Sequence, residues 1–131
     1  LAVGDNAKAA FMTRGLAEIT RLGIALGADP ITFGGLSGIG DLLATCASSR
    51  SRNHRVGVEL AAGRSLEEIL AGMEETAEGV ATTRAACDLA ARTGIDMPIA
   101  VALHGILFKG DDVATTIDQL LTRAPAPEVR A

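Results

Sequence analysis

Residues 78–110 read EGVATTRAACDLAARTGIDMPIAVALHGILFKG, and this stretch decides the fold. Alanine dominates its first half, larger apolar residues its second, and Gly94 and Gly110 close the two halves. Alanine and leucine fill helices at little cost, while proline in the first turn and glycine just past the last are start and stop signals. The pattern predicts a helix over residues 78–92 and a more apolar one over 98–109 opened by Pro98. An amphipathic helix over 112–123 follows.

The same reading extends upstream. Asp5 or Asn6 is the expected cap of a long first helix through residue 25, whose apolar face is drawn from Ala10, Phe11, Leu16, Ile19, Leu22 and Ile24. Gly27 ends it. Asp29-Pro30 opens a short helix, and glycines at 34, 35, 38 and 40 then permit sharp turns and close backbone approach. A helix over 41–46, a polar loop over 47–50 and a helix capped by Ser51 and ending near Gly63 come next. Ser65 and Glu68 have capping-box spacing for a short helix through residue 71. Nothing alternates as a strand would, so the chain is predicted to be an all-α helical bundle over residues 1–123. The tail 124–131, with Pro125 and Pro127, is expected to be extended and mobile.

Composition narrows the function. A chain of 131 residues supports one core without metal or disulfide staples. Aromatics make up 2%, with no Trp or Tyr, and the net charge is -4, which argues against nucleic-acid binding: that needs a broad basic surface and stacking rings. Cys46 and Cys87 lack the spacing of a zinc site or disulfide framework, so a reducing cytoplasm is the expected setting. No apolar run approaches the ~20 residues that cross a bilayer. The chain opens Leu1-Ala2-Val3-Gly4-Asp5, without Met and within a loop feeding a helix, which reads as a piece of a longer protein.

Against the acidic background, one segment is cationic. Arg50, Arg52 and Arg55 cluster at a predicted helix start, with no acidic residue between Asp41 and Glu59. A helix start presents unpartnered N–H groups and a partial positive charge, and an arginine fork matches two phosphate oxygens, so a phosphate-bearing ligand fits Ser51, Arg52 and Asn53. The alternative is that Ser51 only caps and the arginines are solvated. Asp41 follows Gly40, with Thr45 one helical turn beyond; together they suit the hydroxyl or carbonyl end of a small substrate, unless Asp41 merely caps its own helix. A carboxylate repels phosphate, so Asp41 and Arg52 are expected at opposite ends of one ligand within a shared hollow.

The remaining polar residues read more simply. Lys8 is available as an acid, base or anion clamp, but a solvated helix lysine is the commoner case. His54 and His104 lack companion ligands, so no metal is expected. Cys46, close to Asp41, is either a reactive thiol or a small buried apolar residue, the second being the commoner case. Glu78-Gly79 is ordinary first-turn electrostatics unless another domain gives it something to bind.

Several ordered blocks carry a resemblance. Residues 4–10 (GDNAKAA), 13–18 (TRGLAE), 38–46 (GIGDLLATC), Ser51-Arg52-Asn53 and Glu78-Gly79 resemble the C-terminal domain of bacterial NAD(P)-dependent glycerol-3-phosphate dehydrogenases. The resemblance implies a fold like the helical domain of 6-phosphogluconate dehydrogenase-like enzymes. It also implies an enzyme interconverting dihydroxyacetone phosphate and sn-glycerol 3-phosphate with NAD or NADP, bound mainly by a preceding Rossmann domain of the same polypeptide. No dinucleotide fingerprint occurs in this chain, and the family's catalytic lysine falls upstream of Leu1, so no catalytic residue is assigned here and the isolated chain is expected to be inactive. By the same resemblance Asp41, Thr45, Ser51, Arg52 and Asn53 bind substrate, Arg52, Thr76 and Glu78 reach the cofactor, and the domain forms a homodimer. Thr76 departs from the aliphatic residue usual in the family. Two other readings stand beside this one: a non-catalytic phosphate-binding or dimerisation module, and the helical domain of another β-hydroxyacid-type dehydrogenase.

Overall fold

The structure, a computed structural model, describes residues 4–123; the expected tail over 124–131 lies outside the described residues. The order is α1 (Asp5–Ala25), α2 (Pro30–Phe33), a π-helical turn (Leu36–Gly40), α3 (Asp41–Ala47), α4 (Arg52–Ala61), α5 (Leu66–Ala71), α6 (Glu78–Thr93), α7 (Pro98–Lys109) and α8 (Val113–Thr122). No strand occurs among the described residues, as the absence of alternation predicts.

The stop signals act as expected: Gly94 and Gly110 take φ of 70° and 75°, a left-handed region that costs glycine little. Side-chain caps form at Asp29, Ser51, Ser65 and Asp112, and Ser65 with Glu68 completes the capping box. The first helix differs. Its cap is Gly4, whose carbonyl takes the amides of Ala7 and Lys8 at 3.0 and 3.1 Å. Asp5 is thereby drawn into the first turn, where its carboxylate meets the helix dipole and pairs with Lys8 at 3.4 Å.

The glycine-rich segment forms a π-helical turn that local spacing did not anticipate. A Cβ at Gly38 would run into the backbone of Phe33, and one at Gly23 into the Phe33 ring. The close approach that glycine permits at Gly38 is therefore the chain folding on itself, with Phe33 wedged between α1 and the turn.

Packing centres on Val56, Ile69, Ala77 and Leu107, with Leu60, Leu66, Met73, Val80 and Phe108 around them. Full burial of a Val, Ile or Leu side chain contributes roughly 1.5–3 kcal/mol, so this cluster joins α4, α5, α6 and α7 into one unit. α7 also packs on α1 and α8, and α4 on α5, α6 and α8.

A buried carboxylate fastens α1 to α7. Glu18 is 3% exposed, and its two oxygens accept the amides of Ile99 and Ala100 at 2.8 and 3.2 Å. The N-cap of α7, Met97, has no side-chain oxygen to offer, so Glu18 satisfies the helix start from another element. Burial pushes its carboxyl upward, opposed first by the Ile99 and Ala100 amides and then by Arg21, and aided by Asp96. One turn earlier on α1, Arg14 donates to the Leu120 carbonyl of α8 at 2.9 Å.

Candidate functional site

The site is built on the start of α4. Ser51 has extended backbone, and its hydroxyl accepts the His54 amide at 3.3 Å, which holds the first turn. The amides of Arg52 and Asn53 find no acceptor among the described residues. They remain available to an anion.

Beside this helix start lies a groove of about 340 Å³, walled on one side by Ser49, Arg50, Ser51, Arg52 and Arg55 and on the other by Gly72, Met73, Glu74 and Glu75. The three arginines differ in what they hold. Arg52 Nη1 meets Glu75 Oε2 at 3.3 Å, with the side chains 49% and 74% exposed, a setting in which an ion pair contributes at most about 1 kcal/mol. Arg55 Nε is 3.1 Å from Glu59 Oε1, and Arg64 grips the other oxygen of that carboxylate. The Arg55 hydrogen bond is the chief reason the Glu59 carboxyl is held below its ordinary range. Arg50 makes no ion pair among the described residues. Two of the three guanidinium groups are thus held by carboxylates and one is not.

Asn53 turns towards α6. Its Oδ1 accepts the Gly79 amide at 3.1 Å, satisfying one of the open donors of that helix, whose cap residue Ala77 has no polar side chain. A Cβ at position 79 would stand 2.7 Å from that oxygen, so the glycine is what lets Asn53 reach the backbone. This contact sets the starts of α4 and α6 side by side. Thr76 and Glu78 are exposed there, flanking Ala77, which is 1% exposed and part of the core.

Asp41 and Thr45 stand on α3, which packs against the π-helical turn and α1, and neither lines the groove. Asp41 is exposed and Thr45 partly buried. Asp41 is the first helical residue and makes no capping bond; the N-cap is Gly40, so the capping alternative for this carboxylate does not hold. Ser51 and Arg52 share the groove, Asn53 joins it to Thr76 and Glu78, and Asp41 with Thr45 forms a separate group.

Other sequence readings resolve plainly. Cys46 is exposed rather than buried, because it falls in the last turn of α3. Partial burial still pushes its thiol upward, which disfavours the thiolate. His104 packs its ring on Phe108 with centroids 4.8 Å apart, and Arg84 lies over that phenyl ring at 4.3 Å. Among the described residues no group of three or more His, Cys, Asp or Glu is placed to hold a metal, and no helix is long and apolar enough to cross a membrane. The acidic wall of the groove, Glu74 and Glu75, was not singled out from the sequence. Two adjacent glutamates in a loop carry no local signal, and only the return of the chain after α5 puts them opposite Arg52.

Residues 1–118 match the family model of the NAD-dependent glycerol-3-phosphate dehydrogenase C-terminus. The chain belongs to that family. Its glycerol-3-phosphate dehydrogenase relatives include the NAD(P)+ enzyme of Geobacillus kaustophilus, 53% identical over 129 residues, covering 98% of this chain and 38% of that protein. The Streptomyces coelicolor enzyme of the same name is 50% identical over 130 residues, covering 99% and 39%. A 2.1 Å crystal structure of glycerol-3-phosphate dehydrogenase from Coxiella burnetii aligns with a TM-score of 0.88 at 38% identity, covering 92% of this chain and 37% of that one. The all-α fold expected of the family is the one observed. The chain spans less than two-fifths of the length of these glycerol-3-phosphate dehydrogenases.

Proposed function

We propose that this chain is the substrate-binding part of a glycerol-3-phosphate dehydrogenase, which interconverts dihydroxyacetone phosphate and sn-glycerol 3-phosphate. The observation that carries the reading is the groove at the start of α4, where Arg50, Arg52 and Arg55 converge beside two open helix amides in a member of this family. A phosphate monoester is a dianion with three acceptor oxygens. Arg52 supplies a fork for two of them, the Arg52 and Asn53 amides and the Ser51 hydroxyl supply short-range donors, and Arg50 adds charge.

Asp41, with Thr45 one turn on, addresses the hydroxyl and carbonyl end of the substrate. The two groups stand at the starts of different helices, Asp41 on α3 and Arg52 on α4. The reducing equivalent is a hydride supplied by NADH or NADPH, bound mainly by a Rossmann domain of the same polypeptide. Thr76 and Glu78 are exposed beside the start of α6 and suit hydroxyl and amide groups of such a nucleotide, while a carboxylate does not suit its phosphates. Proton transfer at the substrate oxygen is assigned to a lysine upstream of Leu1. The domain works as a homodimer in the cytoplasm, and Val101, 58% exposed on α7, supplies apolar surface for the dimer contact.

The test is an assay of the chain joined to a nucleotide-binding domain of a glycerol-3-phosphate dehydrogenase. Oxidation of NADH or NADPH by dihydroxyacetone phosphate is expected from the joined protein and not from the chain alone. Arg52→Ala should raise KM for the phosphorylated ketone far more than Arg92→Ala, a change remote from the groove. Turnover by the chain alone, or an unchanged KM in Arg52→Ala, overturns the reading.

A further inference from the structure

We infer that Glu75 is a built-in competitor for the fork of Arg52, so that the groove admits phosphate monoesters by exchange of one anion for another and rejects weaker anions. The inference rests on the reading of Arg52 as the phosphate anchor. Three observations support it. Arg52 is not waiting open: its Nη1 lies 3.3 Å from Glu75 Oε2 across the groove. Glu75 sits in the segment after α5 that forms the facing wall, so an anion in the groove lies between this carboxylate's wall and the guanidinium's. The pair is exposed on both sides, and such a pair breaks at little cost.

Charge decides which anion wins. A carboxylate ligand carries one negative charge, the same as Glu75, and gains nothing by replacing a tethered equivalent that needs no translational ordering. A phosphate monoester carries nearly two at neutral pH and presents three oxygens, and it also reaches the open amides of Arg52 and Asn53, which Glu75 does not bond. Exchange then favours the ester. Once displaced, Glu75 is one negative charge beside a dianion, and the loop carrying it is pushed outward from the groove. Glu75 is therefore a specificity-determining residue rather than a ligand contact. Its neighbour Glu74 lines the same wall without pairing to an arginine among the described residues, and so provides an internal control for charge alone.

The experiment titrates the 131-residue chain with inorganic phosphate, sn-glycerol 3-phosphate and acetate, following amide shifts by NMR for wild type, Glu75→Gln, Glu74→Gln, Arg52→Ala and the Arg52→Ala/Glu75→Gln double variant. Glu75→Gln is expected to tighten phosphate binding about two- to fivefold, the size of an exposed ion pair, and to make acetate binding detectable. Glu74→Gln is expected to change phosphate binding by less than half as much, and the gain is expected to vanish in the double variant. An equal effect of the two glutamine variants overturns the inference, since charge alone then explains it. No tightening in Glu75→Gln while Arg52→Ala weakens binding overturns the inference and leaves the anchor reading intact. Binding that Arg52→Ala does not weaken, or that no variant shows, overturns both.

Discussion

The side-chain oxygen of Asn53 accepts the amide of Gly79 at 3.1 Å, and this one contact aligns the start of α4 with the start of α6. Both residues are required for it. Gly79→Ala places a methyl group 2.7 Å from the oxygen, and Asn53→Ala removes the acceptor. Each single variant should lose about 1–2 kcal/mol of stability, the cost of a missing partner for a buried or half-buried donor. The Asn53→Ala/Gly79→Ala pair should lose clearly less than the sum, because the clash and the bond disappear together. Urea unfolding of the four proteins checks this; additive losses would show that the two residues do not act on each other.

Arg52→Ala should weaken glycerol 3-phosphate binding by about 1.5–3 kcal/mol, the range for a hydrogen bond to a charged group. Arg52→Lys should recover only part of that, because an ammonium group lacks the planar fork. Calorimetric titration separates the two. Full recovery by lysine would mean that the position supplies charge and no geometry.

Glu18→Ala should cost about 3 kcal/mol, since it leaves the Ile99 and Ala100 amides without an acceptor in a buried setting. Glu18→Gln should cost less, as its one oxygen still accepts. The charged form also leaves a pH signature. Burial holds the Glu18 carboxyl above its ordinary range, so the folded chain keeps this proton at a pH where the unfolded chain has released it. Between those two values Glu18 makes the fold less stable as pH rises, and Glu18→Gln should flatten that decline. Unfolding midpoints followed upward from the ordinary carboxylate range decide it, and identical slopes for both proteins would contradict the assignment.

Asp112 titrates with the opposite sign. The Thr115 amide first, and the Thr115 hydroxyl after it, hold its carboxyl below the ordinary range. Glu68 is lowered in the same way, chiefly by the Ser65 amide. Stability from these carboxylates is present above the unfolded-chain value and is lost as pH falls through the lower folded value. Asp112→Asn keeps an acceptor for the Thr115 amide but cannot titrate, so its acid limb should be shallower than that of wild type. A circular dichroism acid titration reads the difference.

Much of the fold was legible because its signals are local. Gly94 and Gly110 end helices wherever they follow a helical run, and Ser51, Ser65 and Asp29 bond amides two or three residues away. The arginine cluster was legible for the same reason, since Arg50, Arg52 and Arg55 fall within one loop and turn. Contacts across the fold were not. Glu18 finds its amides 81 and 82 residues on, Asn53 its partner 26 residues on, and Glu75 faces Arg52 only after an intervening helix has reversed the chain. The π-helical turn also escaped notice, because glycine spacing announces freedom of the backbone without saying which path it takes. The expected hollow shared by Asp41 and Arg52 came from charge alone, which says that two groups avoid each other but not which helices carry them.

The clasp between Glu18 and α7 has a consequence for vectorial synthesis. A ribosome emits α1 before α7, and about 80 residues must be added after Glu18 before the Ile99 and Ala100 amides exist, a delay on the order of 4–16 s at translation rates of 5–20 residues per second. Arg14 waits longer still for the Leu120 carbonyl. Throughout that interval the nascent first helix carries a hydrated acid on the surface it will later bury, and that carboxyl gives up its water only when the two amides arrive to replace it.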